Sequence, residues 1–268
     1  MIASGLGDGC VSALYYGQIV STDLVVATLV YSISAILVRD FSKDAAEGKV
    51  GYVKLKEKVN AVLGFYLPLS VLLLLLYIFY SKDIISILLL RGNFDQNALE
   101  LTQLVVLGYC LCFVTIPIKD IFMKTHYAFL DSKRPMVICI GESLLHIMIS
   151  ILLSKQYGIL GVALGTSMAS VFSFVVFRFS IRKYMPDFKL FNSKQVITIV
   201  VSGVGISAIK IGLDYIGLSE TLLGRIAIGV LLCIIYLTML LLLRCPFYYE
   251  FMTSLSKRIF KNGNAGKA

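Results

Sequence analysis

Long apolar runs separated by short polar breaks dominate the chain. They lie at residues 10–38, 59–80, 99–130, 136–154, 159–179, 195–213 and 221–243. Each is long enough to cross a hydrocarbon core of about 30 Å as a helix. The pattern predicts an all-α membrane protein with about seven transmembrane helices. The runs differ in polarity. The first is interrupted by Ser12, Tyr15, Tyr16, Gly17, Gln18, Ser21, Thr22 and Asp23. Tyr15, Gln18 and Thr22 share one helical face by their three- and four-residue spacing. Such a helix belongs inside a bundle, lining something polar. Hydrogen bonds between helices account for the Ser, Thr and Gln positions more readily than for Asp23.

The stretch 116–135, IPIKDIFMKTHYAFLDSKRP, closes the third run. It carries Lys119, Asp120, Lys124 and His126 before breaking at Asp131. A Lys or Asp at the centre of a membrane helix costs roughly 2.5–3.5 kcal/mol. Chains keep such groups where they face a wet, protein-lined cavity. Lys124 and His126 could instead snorkel to the interface. Lys119 is roughly 12 residues from Asp131, about 18 Å along a helix, which is deep for snorkelling. Pro117 predicts a kink. In the fourth run Glu142 and His146 lie four apart on one face. Either they pair with each other or one meets Lys119 or Lys124, and a structural or a transport role fits equally. The fifth run, with Gly161, Ala163, Gly165, Ser167, Ala169 and Ser170, is built for close helix packing. Lys210 in the sixth reaches for the interface. The aliphatic seventh faces lipid.

Of the 268 residues 58% are hydrophobic and 15% charged, and the mean hydropathy is +0.85. That excludes an ordinary soluble domain. The six Cys show neither metal spacing nor a disulfide framework. With two His, no nucleophile–base pairing and no phosphate loop, an enzyme, a metal and a cofactor are all unexpected. No Trp is present, so an aromatic belt would come from the 15 Tyr. The net charge of +9 reflects topology. Segments 39–58, 133–134, 178–194 and 244–268 hold 18 Lys and Arg, against 3 (Lys82, Arg91, Lys155) on the other side. The richer side is cytoplasmic by the positive-inside rule. The N-terminus is therefore expected outside and the C-terminus inside. The expected partners are membrane lipids, with no nucleic acid. No leader precedes the weak, Asp-containing first run. The expectation is a C-terminal part of something longer, or a chain that needs a partner.

Several stretches carry a resemblance. They are Leu90-Arg91-Gly92-Asn93-Phe94, the segment Tyr127 to Pro135 with Asp131 between, Gly161 to Ser167, and Ser12 to Gly17 followed by Arg39 to Lys43. In order and at span boundaries, these resemble the "RGxF", "YAxxDxxxP", "GLAxATS" and "SALxYA…PxLS[RK]" motifs of the MurJ/MviN family. Members of that family are lipid II flippases of the multidrug/oligosaccharidyl-lipid/polysaccharide exporter superfamily. The resemblance covers about residues 4–180. It implies that the seven spans correspond to the eighth to fourteenth of a fourteen-span protein whose N-terminal lobe lies elsewhere. The implied division is 1–180, a five-span lobe; 181–246, two spans resembling a lipid-tail groove; and 247–268, a basic cytoplasmic tail.

The implied activity is alternating access in the bacterial cytoplasmic membrane, with a lipid-linked glycan as substrate. Gln18, Asp23, Lys119, Asp120, Lys124, Glu142 and His146 are the cavity candidates. Arg91, Gly92, Phe94, Tyr127, Asp131 and Pro135 are the motif residues. Where the family commonly has Asp-Arg after "YA", this chain has Gln18 and Ile19, and Val38 and Arg39 stand where a Pro is usual. Ile cannot pair with pyrophosphate. Either Lys119 or Lys124 supplies the charge, or the exported glycan differs, or the sequence is a diverged paralogue. A non-transporting scaffold acting through the basic segments 43–58 and 257–267 is the reading from another class.

Overall fold

The computed structural model describes residues 5–24, 30, 32–92, 94–186, 188, 193–215, 221–245 and 248–249. Among these residues the regular structure is helical, with no strand. Four helices are long and apolar enough to cross a membrane, or five if one bent pair counts as a single span. The chain divides into two compact units. The first comprises 1–57 and 73–188, the second 58–72 and 189–268. Most of the expected 247–268 tail, residues 25–29 of the first run, and Asn93 lie outside the described residues.

The first unit begins with α1, Cys10–Gln18, which continues as a π-helical stretch, Ile19–Asp23. Helix α2, Ser32–Ala46, follows, and then α3, Gly48–Leu89. The basic segment 39–58 is therefore helical, shared between the end of α2 and the start of α3. The third run is two helices, α4 (Gln96–Gly108) and α5 (Cys112–Ala128), bent by 46°. The break lies at residues 109–111, whereas Pro117, the expected kink, sits inside α5. Gly108, the last residue of α4, packs closely on the fifth run. A Cβ there would lie 2.5 Å from Ala163 Cβ, so only glycine admits the approach. The Gly108 carbonyl, at the helix end, accepts the Ser167 hydroxyl at 2.6 Å.

Helix α6 runs from Lys133 to Ser180, but Gly158 inside it has φ 57°, ψ −132°. The contacts across that point define a hairpin. His146 Nε2 lies 3.0 Å from Thr166 Oγ1, and Ser150 donates to the Val162 carbonyl at 3.4 Å. In a straight helix residues 146 and 166 would be about 30 Å apart. The fourth and fifth runs are thus two antiparallel limbs, reversed at a glycine that tolerates positive φ. The small residues of the fifth run do what their pattern predicts. Added Cβ atoms on Gly161 and Gly165 would come within 2.3 Å of Leu153 O and Ser150 Oγ. Cys10, Ala13, Val105, Tyr109, Ile159 and Ala163 form one core cluster, joining α1, α4 and the second limb.

The second unit contains α7, Ser193–Tyr215, and α8, Leu222–Leu242, with the middle turns of α3. Pro68 lacks the N–H that would bond to the Gly64 carbonyl one turn back. Gln195 Nε2 donates to that carbonyl at 3.5 Å, and the Tyr236 hydroxyl donates to the Pro68 carbonyl at 3.0 Å. Helix α8 is not wholly lipid-facing, since Leu232, Tyr236 and Leu240 are buried on one stripe. Lys210 is buried and pairs with Asp214 one turn on.

Candidate functional site

Within the first unit, α1 with its π-helical stretch, the α4–α5 break and both limbs of α6 enclose a cavity of about 440 Å³. Its polar lining is Gln18, Thr22, Asp23, Tyr109, His146 and Thr166; Leu14, Ile116 and Val162 are the apolar remainder. Leu14 and Gln18 reach it from α1, and Thr22 and Asp23 from the π-helical stretch, a feature frequent at functional sites. Thr22 returns its hydroxyl to the Gln18 carbonyl at 3.1 Å, and Ser21 does the same to Gly17. Gln18 Nε2 donates to Asp23 Oδ1 at 3.4 Å. His146 and Thr166 face one another across the hairpin. Among the described residues the lining holds one carboxylate and one imidazole, and no Lys or Arg. Tyr15, expected on the polar face, is 64% exposed.

The other candidates form two separate ion pairs. Lys119 Nζ makes a forked contact with Glu142, 2.7 Å to Oε1 and 2.9 Å to Oε2, tying α5 to the first limb of α6. Both side chains are less than a fifth exposed. Lys124 pairs with Asp120 one turn back on α5 and is itself buried. Glu142 and His146 therefore share a face without sharing a partner. Among the described residues no three or more His, Cys, Asp or Glu are grouped to hold a metal ion.

Tyr127, Asp131 and Pro135 serve the α5–α6 turn. Leu130 takes φ 58°, Asp131 Oδ1 accepts the Arg134 backbone N–H at 3.2 Å, and Pro135 is buried in the first turn of α6. Asp131 thus caps a helix. Its other oxygen accepts the Tyr184 hydroxyl at 2.5 Å. That bond holds the Asp131 carboxyl below the usual carboxylate range, while burial and then Asp131 raise the Tyr184 phenol. Tyr184 also stacks on Phe129 at 4.5 Å between ring centroids. Sequence reasoning missed Tyr184, which lies after α6 and carries no motif, and Tyr109, which is one of many aromatics in an apolar run. Thr166 was legible as part of the Gly161–Ser167 motif. Arg91, Gly92 and Phe94 form the turn between α3 and α4. There Gly92 has φ 60°, and Phe94 meets Tyr16 edge-on at 5.6 Å.

Among the described residues, several apolar helices long enough to cross a membrane, with a polar cavity within the first unit, define a multi-pass membrane protein. The chain belongs to the lipid II flippase MurJ family, whose model matches residues 1–240. A probable lipid II flippase MurJ of Bdellovibrio bacteriovorus is 25% identical over 193 residues, 70% of this chain and 35% of that protein. The lipid II flippase MurJ of Thermosipho africanus is 26% identical over 171 residues, 63% of this chain and 34% of that protein. Among solved structures, a lipid II flippase MurJ in an inward closed conformation covers 90% of this chain and 48% of its own, with TM-score 0.65 and 22% identity. The chain spans about a third of the length of these curated relatives.

Proposed function

We propose that the chain supplies the C-terminal lobe and final two spans of a flippase that moves the lipid-linked peptidoglycan precursor across the bacterial inner membrane by alternating access. The observation that carries this reading is the polar cavity of Gln18, Thr22, Asp23, His146 and Thr166 inside an apolar bundle. Buried polar surface inside a membrane is costly unless something wet passes there. The reading has seven crossings, N-terminus outside and C-terminus in the cytoplasm, in line with the 18-to-3 distribution of Lys and Arg. A further lobe, from the same gene or a separate chain, completes the path. The division into a five-span lobe, two tail-groove spans and a basic tail belongs to the same proposal.

Export of another undecaprenyl-linked glycan is the second reading. It is favoured by Ile19, 39% exposed where the family pattern has Arg, and by a cavity whose described lining residues include no Lys or Arg. The test is reconstitution of the chain with an N-terminal lobe in vesicles, following outward movement of fluorescent lipid-linked pyrophosphoryl glycans. Movement of lipid II that is lost in Asp23→Leu supports the first reading. Movement only of a different repeat selects the second. No movement of either glycan, from a complex shown to be assembled, overturns both.

A further inference from the structure

At its open end the α6 hairpin carries a groove of about 380 Å³, lined by Lys133, Arg134, Val137, Ile138, Val176 and Ser180. The first limb, 133–157, is about 37 Å long, a little more than a hydrocarbon core of about 30 Å. Lys133 and Arg134 begin it, so they lie at one boundary of the membrane. The second limb returns to the same boundary at Ser180. The lining is ordered by depth. The two cations are at the mouth, and Val137, Ile138 and Val176 lie one helical turn further in. Neither cation is fully engaged inside the protein. Lys133 is exposed and makes no hydrogen bond or ion pair among the described residues. Asp131 meets Arg134 Nε at 3.6 Å, and the Arg134 Nη1 has no hydrogen-bond partner. Arg182 and Lys183, just past the second limb, lie over the Phe179 and Tyr184 rings, so both limbs are basic here. Topology accounts for positive charge at this boundary. It does not account for charge set at the mouth of an aliphatic groove.

We propose that this groove binds one anionic phospholipid, with the phosphodiester on Lys133 and Arg134 and an acyl chain along Val137, Ile138 and Val176. The order of the lining selects this class of ligand. A soluble anion leaves the aliphatic floor unfilled. A zwitterionic lipid brings an ammonium group that the two cations repel. An anionic phospholipid matches both ends, with charge at the boundary and hydrocarbon beneath it. Basic pockets between membrane helices bind such head groups. The guanidinium grips two phosphate oxygens in parallel, and the ammonium of Lys133 adds a point charge. The groove takes the head group and the upper part of one chain, and the rest of the lipid stays in the bilayer. A lipid held there ties the start of the first limb to the end of the second, beside the Asp131–Tyr184 bond. The site rests on the membrane-spanning hairpin and not on the flippase reading.

The test uses the whole purified chain, stripped of lipid in a neutral detergent, with native mass spectrometry to count retained lipids. Phosphatidylglycerol and phosphatidylcholine with identical acyl chains are the probes. Wild type is expected to hold one phosphatidylglycerol at least about tenfold more tightly than phosphatidylcholine. Lys133→Gln/Arg134→Gln should erase that preference, and Lys133→Arg/Arg134→Lys should keep it. Lys82→Gln/Lys155→Gln removes the same charge from exposed side chains elsewhere and should leave it intact. Glycerol phosphate, a head group without a chain, should not displace the lipid. Helix content and elution volume check the fold of each variant. Equal retention of the two lipids by wild type overturns the site. So does a preference that survives in Lys133→Gln/Arg134→Gln or falls equally in Lys82→Gln/Lys155→Gln. Release by glycerol phosphate, or preferential exchange for undecaprenyl pyrophosphate, overturns the phospholipid assignment in favour of free phosphate or of the exported lipid. If the preference holds while vesicles containing both lobes move no glycan, the site stands and the flippase reading falls. If glycan moves while the two phospholipids bind equally, the site falls and the flippase reading stands.

Discussion

The Lys119–Glu142 pair gives a quantitative test of whether charge inside this bundle is structural or functional. Lys119→Met leaves Glu142 without its forked partner at 2.7 and 2.9 Å. Breaking a buried pair by removing one partner costs about 3–5 kcal/mol, against about 0–1 kcal/mol at a surface. With side chains 16% and 19% exposed, the pair lies near the buried limit but not at it. A discounted cost of about 2–4 kcal/mol follows. At about 2–4 °C per kcal/mol for a domain of this size, the melting temperature in detergent should fall by roughly 5–15 °C. Glu142→Gln should act likewise. The double variant Lys119→Met/Glu142→Gln removes both charges and should regain most of the loss, because a neutral pair of similar shape has little to desolvate. Two results refute the reasoning: single variants that melt within about 1 °C of wild type, or a double variant no more stable than the worse single. Transport assayed on the stable double variant then separates the roles. Recovered transport makes the pair a strut between α5 and α6, and lost transport makes it part of the moving machinery.

Gly161→Ala should destabilise by about 1–3 kcal/mol, since its Cβ would meet Leu153 backbone 2.3 Å away. Gly141→Ala has nothing within 4 Å and should be neutral or raise the melting temperature by a degree or two, so paired thermal melts test the hairpin directly. Asp131 has a folded-state pKa below its unfolded value, so its contribution is complete above the ordinary carboxylate pKa and is lost as pH falls through the lower folded value. Acid melts of wild type should therefore steepen below about pH 4 relative to Asp131→Asn, and Tyr184→Phe should flatten that slope; coincident acid profiles would rule out the Asp131–Tyr184 clasp.

The basic charge of 39–58, the small-residue limb from Gly161 to Ser170 and the all-helical class were all present in the linear pattern. Hydropathy and residue size act over one or two helical turns, and those distances are visible in sequence. Gln18 and Asp23 were legible for the same reason, as polar breaks in an apolar helix. Their meeting with His146, Thr166 and Tyr109 was not. It depends on a π-helical stretch, a bend at Gly108 rather than Pro117, and a reversal at Gly158. Lys119 could be seen to need a partner, but only the crossing of α5 with α6 chose Glu142 over His146. Composition and period thus determined that the chain is a helical membrane bundle with polar groups inside. Tertiary packing decided which of those groups share a cavity and which cancel in pairs, because contacts between helices depend on where each axis bends and on close approaches between residues far apart in sequence.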